Sequence, residues 1–199
     1  MHPEWTAPQT DIYLAPTQEI KRHLMKEGTR AEDILVTGIP VRQQFLDMDY
    51  CQKREKNRTR RVLIMGGGLG LMPDLKELLE KLHSMRGVES VVITGKNHKM
   101  YEEWVNRYED VEVLGYTENI SRYMRGADLV ITKAGGITLF EILHSQVPLF
   151  VIHPFLEQEM NNARYAAEKG FAKVIWGRHE DYIPELEKLL SDEKMMKEM

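Results

Sequence analysis

The chain has 199 residues, of which 42% are apolar and 29% are charged, and its 27 basic and 31 acidic residues give a net charge of −4. This length supports one good-sized domain, the apolar share excludes a disordered chain, and the acidic balance argues against nucleic-acid binding. A single cysteine, Cys51, excludes a disulfide scaffold and a cysteine-based metal cluster, and no segment has the pattern of a signal peptide or a membrane span. We therefore expect a cytoplasmic α/β protein.

Short elements come first in the chain. Residues 11–15 and 34–40 predict short strands, and Thr17 is a suitable N-cap for a helix between them. Because these elements precede a complete α/β pattern, we expect residues 1–40 to be the end of a preceding domain with its linker, and residues 41–199 to form the main domain.

A basic run covers residues 52–61. Runs of this kind are usually solvated, so we favour a loop that leads into the main domain. The alternative is contact with an anionic membrane surface.

The remainder alternates between apolar runs and charged segments of helical periodicity. The runs predict strands over residues 62–65, 91–94, 111–114, 129–132, 149–152 and 173–176. The segments predict helices over residues 71–85, 97–109, 119–125, 137–145, 157–169 and 181–190. Nearly continuous apolar strands are typical of sheets covered on both faces, and serial strand–helix units predict a parallel sheet.

Glycines cluster after the first strand of this series, where open parallel sheets bind ligands. Gly67, Gly68 and Gly70 belong to a run with four glycines in residues 66–70, which lets main-chain N–H groups approach an anion. The alternative is a tight turn that needs positive φ. The run departs from the dinucleotide fingerprint, and no ribose-binding acid follows the next strand, so NAD is not expected.

The loop after residues 129–132 carries more polar groups. Its candidate ligands are Lys133, Gly135, Gly136, Ile137, Thr138 and Glu141. The start of the helix can hold phosphate, and a carboxylate one turn further can accept both hydroxyl protons of a ribose. This layout predicts a nucleoside diphosphate, although Glu141 alone could be an ordinary helix-start acid and Lys133 an ordinary exposed cation.

Two further loops add candidates. Gln158, Glu159 and Asn162 lie at the start of a helix and offer the donors and acceptors that sugar hydroxyls need, although good helix capping is the alternative. Gly115 and Tyr116 end another strand, where backbone groups could bind a base edge. The seven histidines have no metal-ligand spacing, and no serine or cysteine has the surroundings of a nucleophile.

Three blocks, at residues 115–120, 127–141 and 158–163, resemble the C-terminal half of the family of monogalactosyldiacylglycerol synthases and processive diacylglycerol glucosyltransferases. These enzymes are relatives of the lipid II N-acetylglucosaminyl transferase. The similarity extends over nearly the whole chain, and residues 36–41 resemble the family's interdomain linker.

The resemblance implies the C-terminal, donor-binding half of a GT-B glycosyltransferase, a Rossmann-like parallel sheet with helices on both faces. By position, residues 66–70 and 135–138 would face the diphosphate of a UDP-sugar, Glu141 the ribose, residues 115–116 the uracil, and Gln158 with Glu159 the sugar. The family inverts the anomeric centre without a metal, so we expect no cofactor.

The resemblance also implies what this chain lacks. The general base and the lipid acceptor, such as diacylglycerol, belong to the family's N-terminal domain, so the catalytic residue is unknown here and the chain alone is expected to be an inactive hexosyltransferase fragment. Peripheral contact with the inner face of the membrane is part of the same expectation.

Two departures from the family pattern stand out. The sugar-facing loop has Phe155-Leu156-Glu157-Gln158-Glu159 where the family usually has Pro-Gly-Gln-Glu, so the family's glycine is lost there. Gln146 stands where a glycine is usual, at a position expected to be left-handed. Two alternatives remain: a UDP-sugar-binding subunit that pairs with a separate acceptor-domain protein, and a UDP-sugar epimerase.

Overall fold

The computed structural model describes residues 10–46, 59–66, 72, 74–177 and 180–199. The chain divides into two compact units, Met1–Val41 and Arg42–Met199. Most of the glycine run, residues 67–70, lies outside the described residues, as do residues 52–58 of the basic run.

Within its described residues, the first unit contains two parallel strands, one α-helix and a short 3-10 helix at Ala31–Asp33. Strands β1 (Tyr13–Ala15) and β2 (Ile34–Val36) pair directly, and helix α1 (Gln18–Lys26) lies between them in the chain. The predicted cap is confirmed, because the Thr17 hydroxyl accepts a hydrogen bond from the N–H of Ile20 at 3.3 Å. Both strands are shorter than predicted.

The second unit is built on a six-stranded parallel sheet in the order β5-β4-β3-β6-β7-β8. The predicted parallel sheet is therefore confirmed. Its strands are β3 (Arg60–Met65), β4 (Val88–Ile93), β5 (Val111–Leu114), β6 (Leu129–Thr132), β7 (Leu149–Ile152) and β8 (Ala172–Ile175).

Helices follow the strands and cover both faces of this sheet. They are α2 (Leu75–Ser84), α3 (His98–Trp104), α4 (Ile120–Gly126), α5 (Gly136–Ser145), α6 (Glu157–Glu168), α7 (Ile183–Ser191) and α8 (Glu193–Glu198), with a short 3-10 helix at Gln43–Phe45. On one face, α2 and α7 pack in a cluster with Ile64 and Ile131. Because side chains alternate along a strand, the fully buried Leu63 and Val130 point to the other face.

Three predicted boundaries are wrong for local physical reasons. Arg60 and Arg61, placed in a loop by their charge, begin β3, where the Arg61 guanidinium pairs with Glu89 of the neighbouring strand at 2.8 Å. Helix α2 begins at Leu75 because Asp74 has φ of +54°, which is outside the helical region. Helix α3 ends at Trp104, and Asn106 beyond it has φ of +59°.

Candidate functional site

The carboxyl ends of the parallel strands bring the predicted ligand loops to one edge of the sheet. Two threonine hydroxyls link neighbouring strands there: Thr132 donates to the Met65 carbonyl at 2.7 Å, and Thr94 donates to the Leu114 carbonyl at 3.1 Å. The ends of β3 and β6 are therefore fixed to each other, as are those of β4 and β5.

The turn between β6 and α5 presents main-chain N–H groups. Gly135 is the N-cap of α5, and because it has no side chain, the cap position supplies no acceptor for the first N–H groups of the helix. The first helical hydrogen bond runs from the N–H of Leu139 to the Gly135 carbonyl at 2.8 Å. The N–H groups of residues 136–138 thus lie before the first intrahelical bond, where an anion is favoured.

The protein itself does not require a glycine at this turn. Gly135 has φ of −68°, which any residue can adopt, and an added Cβ would come no closer than 3.9 Å to the Thr138 hydroxyl. Gly115 is similar, since a Cβ there would lie 3.9 Å from the Gly95 carbonyl. Neither backbone conformation nor packing among the described residues explains these two glycines.

Glu141 lies on α5 one turn beyond this N-terminus, and its carboxylate is engaged by Arg42. The guanidinium donates from Nε to Oε1 at 2.8 Å and from Nη2 to Oε2 at 3.2 Å. The Glu141 side chain is 3% exposed, whereas that of Arg42 is 46% exposed. Sequence reasoning missed Arg42, because it lies 99 residues away and no local pattern signals the contact.

The chain immediately after Arg42 is anchored to α4. The side-chain oxygen of Gln44 accepts a hydrogen bond from the Ser121 hydroxyl at 2.8 Å, and the main-chain carbonyl of Gln44 accepts one from the Arg125 guanidinium at 3.0 Å. Phe45 is almost fully buried, and the Arg42 guanidinium lies 5.4 Å from the centre of its ring. The segment that supplies Arg42 is therefore fixed to the second unit.

Helix α6 supports the same turn from the other side. The side-chain amide of Asn162 donates to the Ala134 carbonyl at 2.7 Å, and the Lys133 ammonium lies 5.2 Å from the centre of the Phe155 ring. Gln158 is exposed at the start of this helix, and Glu159 has one buried carboxylate oxygen without a hydrogen-bond partner among the described residues. The side chain of Asn162 thus holds the turn by binding the main-chain carbonyl of Ala134.

Tyr116 follows β5 with its side chain exposed, next to Gly115 as predicted from the sequence. The Thr117 hydroxyl accepts from the N–H of Asn119 at 3.1 Å and shapes the loop that enters α4. Of the predicted site residues, the structure brings together the turn at 133–138, Glu141 and Asn162; Gly67, Gly68 and Gly70 lie outside the described residues.

A buried tyrosine lies near the same edge of the sheet. Burial raises the pKa of the Tyr182 hydroxyl, and the negative charge of Glu77 raises it further. The Tyr182 ring lies 6.0 Å from that of His153, which has φ of +47° immediately after β7. The Tyr182 hydroxyl has no hydrogen-bond partner in the described part of the chain.

The described residues contain neither a cluster of metal-ligating side chains nor a helix that could span a membrane. No group of three or more His, Cys, Asp or Glu side chains in the described ranges could hold a metal ion. None of the helices that the structure describes is long and apolar enough to cross a membrane.

Comparison with known proteins identifies two matching family models. The model described as glycosyltransferase family 28 C-terminal domain matches residues 61–199, and that of monogalactosyldiacylglycerol (MGDG) synthase matches residues 1–41. The processive diacylglycerol beta-glucosyltransferase of Bacillus licheniformis is 35% identical over 212 residues, covering 100% of this chain and 54% of that protein. The chain therefore spans about half the length of the curated relatives that it matches.

Solved structures share the fold at low sequence identity. The UDP-GlcNAc 2-epimerase of Neisseria meningitidis, bound to UDP-GlcNAc, has a TM-score of 0.68 at 17% identity and covers 94% of this chain and 55% of its own. MurG of Acinetobacter baumannii has a TM-score of 0.58 at 16% identity and covers 83% of this chain and 52% of its own. These likenesses confirm the Rossmann-like GT-B fold class. Since the first family model matches well over half of the sequence, the chain belongs to the glycosyltransferase family 28 C-terminal domain family.

Proposed function

We propose that this chain is the donor-binding half of a UDP-sugar-dependent, inverting hexosyltransferase with a lipid acceptor such as diacylglycerol. The named relatives are diacylglycerol glucosyltransferases, and the match to them runs along the entire chain, which supports this acceptor class. The full activity would need a second half that supplies the acceptor site and the general base, so we expect the chain alone to transfer no sugar.

The observation that carries the proposal is the turn at the start of α5. Its N–H groups are free of an intrahelical acceptor, Gly135 is not required by backbone conformation or by packing among the described residues, and a buried carboxylate follows one turn later. In the proposed complex the N–H groups of residues 136–138 bind the diphosphate, Glu141 accepts the ribose hydroxyl protons, and residues 115–116 contact the uracil. Gln158 and Glu159 contact the hexose, and Gly67, Gly68 and Gly70 face the phosphates from the other side.

This arrangement also suggests how the leaving group is stabilised. When the bond to the anomeric carbon breaks, negative charge develops on the β-phosphate of UDP. Main-chain N–H groups and the dipole of α5, fixed in advance, stabilise that charge without reorganising. Lys133, next to the same turn, adds a positive charge. We therefore propose transfer without a bound metal.

The fold is compatible with two alternatives. The similarity of fold includes an epimerase as well as transferases, so the fold by itself does not choose between them. The family models and the diacylglycerol glucosyltransferase relatives favour transfer. A UDP-sugar-binding subunit that pairs with a separate acceptor-domain protein would use the same donor site and differs only in how the second half is supplied.

Titration calorimetry with UDP, UDP-glucose, UDP-galactose, ADP and NAD tests the proposal. We expect UDP to bind and NAD not to bind. Glu141→Ala should weaken UDP binding by at least about 1 kcal/mol, because charge-assisted hydrogen bonds to the ribose are lost. The matched control is Glu157→Ala, which removes an exposed acid from the first turn of α6. Tighter binding of NAD than of UDP, or equal UDP affinity in the two variants, would contradict the proposal.

A further inference from the structure

Glu141 has little capacity for a ligand in the conformation that the structure records. Both carboxylate oxygens already accept hydrogen bonds from one guanidinium, and the side chain is 3% exposed. A ribose bound by Glu141 would donate its two hydroxyl protons to these oxygens. Each oxygen keeps a second lone pair, but only 3% of the Glu141 side chain is exposed while the guanidinium is in place, so a ribose cannot reach it. The proposed ribose contact therefore requires the Arg42 guanidinium to leave.

Arg42 is the partner that can move. Its side chain is 46% exposed, so its outer surface faces solvent. The main chain beside it is held independently by the Gln44 contacts to Ser121 and Arg125 and by the buried Phe45 ring. Rotation about the side-chain torsions of Arg42 can therefore release the guanidinium while the backbone and Glu141 stay in place.

We propose, resting on the proposed function, that Arg42 is a specificity-determining residue: its guanidinium occupies the carboxylate of Glu141 in the nucleotide-free protein and is displaced by the ribose hydroxyls of the donor. Binding of a ribonucleotide then exchanges two charge-assisted hydrogen bonds from Arg42 for two from the ribose. A nucleotide that lacks these hydroxyls cannot make the exchange and leaves the ion pair intact.

This exchange has a thermodynamic consequence. The free energy gained from the ribose is reduced by the free energy of the ion pair that it breaks, so Arg42 lowers the affinity for a ribonucleotide and leaves that for a dideoxynucleotide unchanged. Arg42 thus sets how strongly the site prefers ribose. If Arg42 instead bound the nucleotide directly, loss of its side chain would lower the affinity for both nucleotides.

The test is calorimetry of the full chain with UDP and 2′,3′-dideoxy-UDP. We expect Arg42→Gln to bind UDP about ten-fold more tightly than the unmodified protein, which equals about 1.4 kcal/mol, and to bind dideoxy-UDP with unchanged affinity. Arg42→Lys retains the charge but cannot form the two parallel hydrogen bonds, so its gain should be smaller. The control is Arg61→Gln, which breaks an ion pair of the same 2.8 Å length on β3 and should change neither affinity.

Thermal unfolding of each variant shows that it is folded, and Arg42→Lys keeps the test valid if Arg42→Gln is unstable. Weaker binding of both nucleotides, equal gains for both, or no change in either would overturn the proposal. These results are distinct from failure of the proposed function, in which neither the unmodified protein nor any variant binds UDP. If Arg42→Gln binds UDP and the unmodified protein does not, the ion pair blocks the ribose site completely. That result would also support the proposal.

Discussion

At the scale of single residues, two buried or half-buried polar side chains organise the candidate site. Glu141 is paired with a residue 99 positions earlier, and Asn162 binds a main-chain carbonyl 28 positions earlier. Each contact joins α5 or its preceding turn to another part of the second unit. The geometry of the turn therefore depends on side chains that lie outside it.

Asn162 gives a prediction at this scale. In Asn162→Ala the Ala134 carbonyl loses its 2.7 Å donor, so we expect the free energy of unfolding to fall by about 1 kcal/mol. Because the turn proposed to hold the diphosphate loses a support, binding of UDP and of UDP-glucose should weaken by the same factor. Denaturant unfolding and calorimetry measure the two effects.

The neighbouring Asn161 provides the control, since it is exposed and contacts only Arg164 of its own helix among the described hydrogen bonds. Asn161→Ala should leave both measurements unchanged. If Asn162 instead contacts the hexose directly, as the sequence suggested, its substitution would weaken binding of UDP-glucose and leave binding of UDP unchanged. That result would contradict the supporting role derived from the structure.

At the scale of elements, the two ends of α5 have different consequences, one for ligand binding and the other for stability. Its N-terminus carries the proposed phosphate site, and it ends at Gln146, which has φ of +51° and ψ of +46°. The left-handed conformation expected at this position is therefore confirmed, and a non-glycine residue adopts it. Such a residue costs roughly 1 kcal/mol relative to glycine.

Gln146→Gly should consequently stabilise the protein. The Gln146 side chain is exposed. Among the described hydrogen bonds, Gln146 makes one, from its backbone N–H to the Leu143 carbonyl at 3.1 Å, and glycine retains it. We expect the midpoint of thermal unfolding to rise by about 2–4 °C, with Gln146→Ala as a control that retains the strained φ and gains nothing. A lower midpoint for Gln146→Gly than for Gln146→Ala would show that strain is not the dominant effect.

The elements also show what can be predicted from sequence. The six strands of the sheet could be predicted because each contains a largely apolar run. The Thr17 cap and the conformation at Gln146 could be predicted because local chemistry determines both. The charge of Arg61 led to the wrong prediction of a loop, because an ion pair with Glu89 on the neighbouring strand allows this basic residue to lie in β3. The pairing of Arg42 with Glu141 could not be predicted, because it depends on the completed fold and not on any spacing in the chain.

At the scale of the whole molecule, the two units differ in how much core they contain. Within its described residues, the first unit buries only Ala15, Leu24 and Ile34 and leaves Leu14 and Leu35 exposed, and a two-stranded sheet is marginally stable by itself. The second unit has a sheet covered on both faces and contains the described candidate ligands from Arg42 to Asn162. The proposed donor site therefore lies in Arg42–Met199.

The central claim is that this unit holds a uridine diphosphate at the start of α5. A crystal structure of the protein with UDP tests it most directly. We predict the diphosphate at the N–H groups of residues 136–138, both ribose hydroxyls on the Glu141 carboxylate, and the Arg42 guanidinium displaced from it. A nucleotide bound elsewhere, with that turn unoccupied and Arg42 still paired to Glu141, would contradict the account.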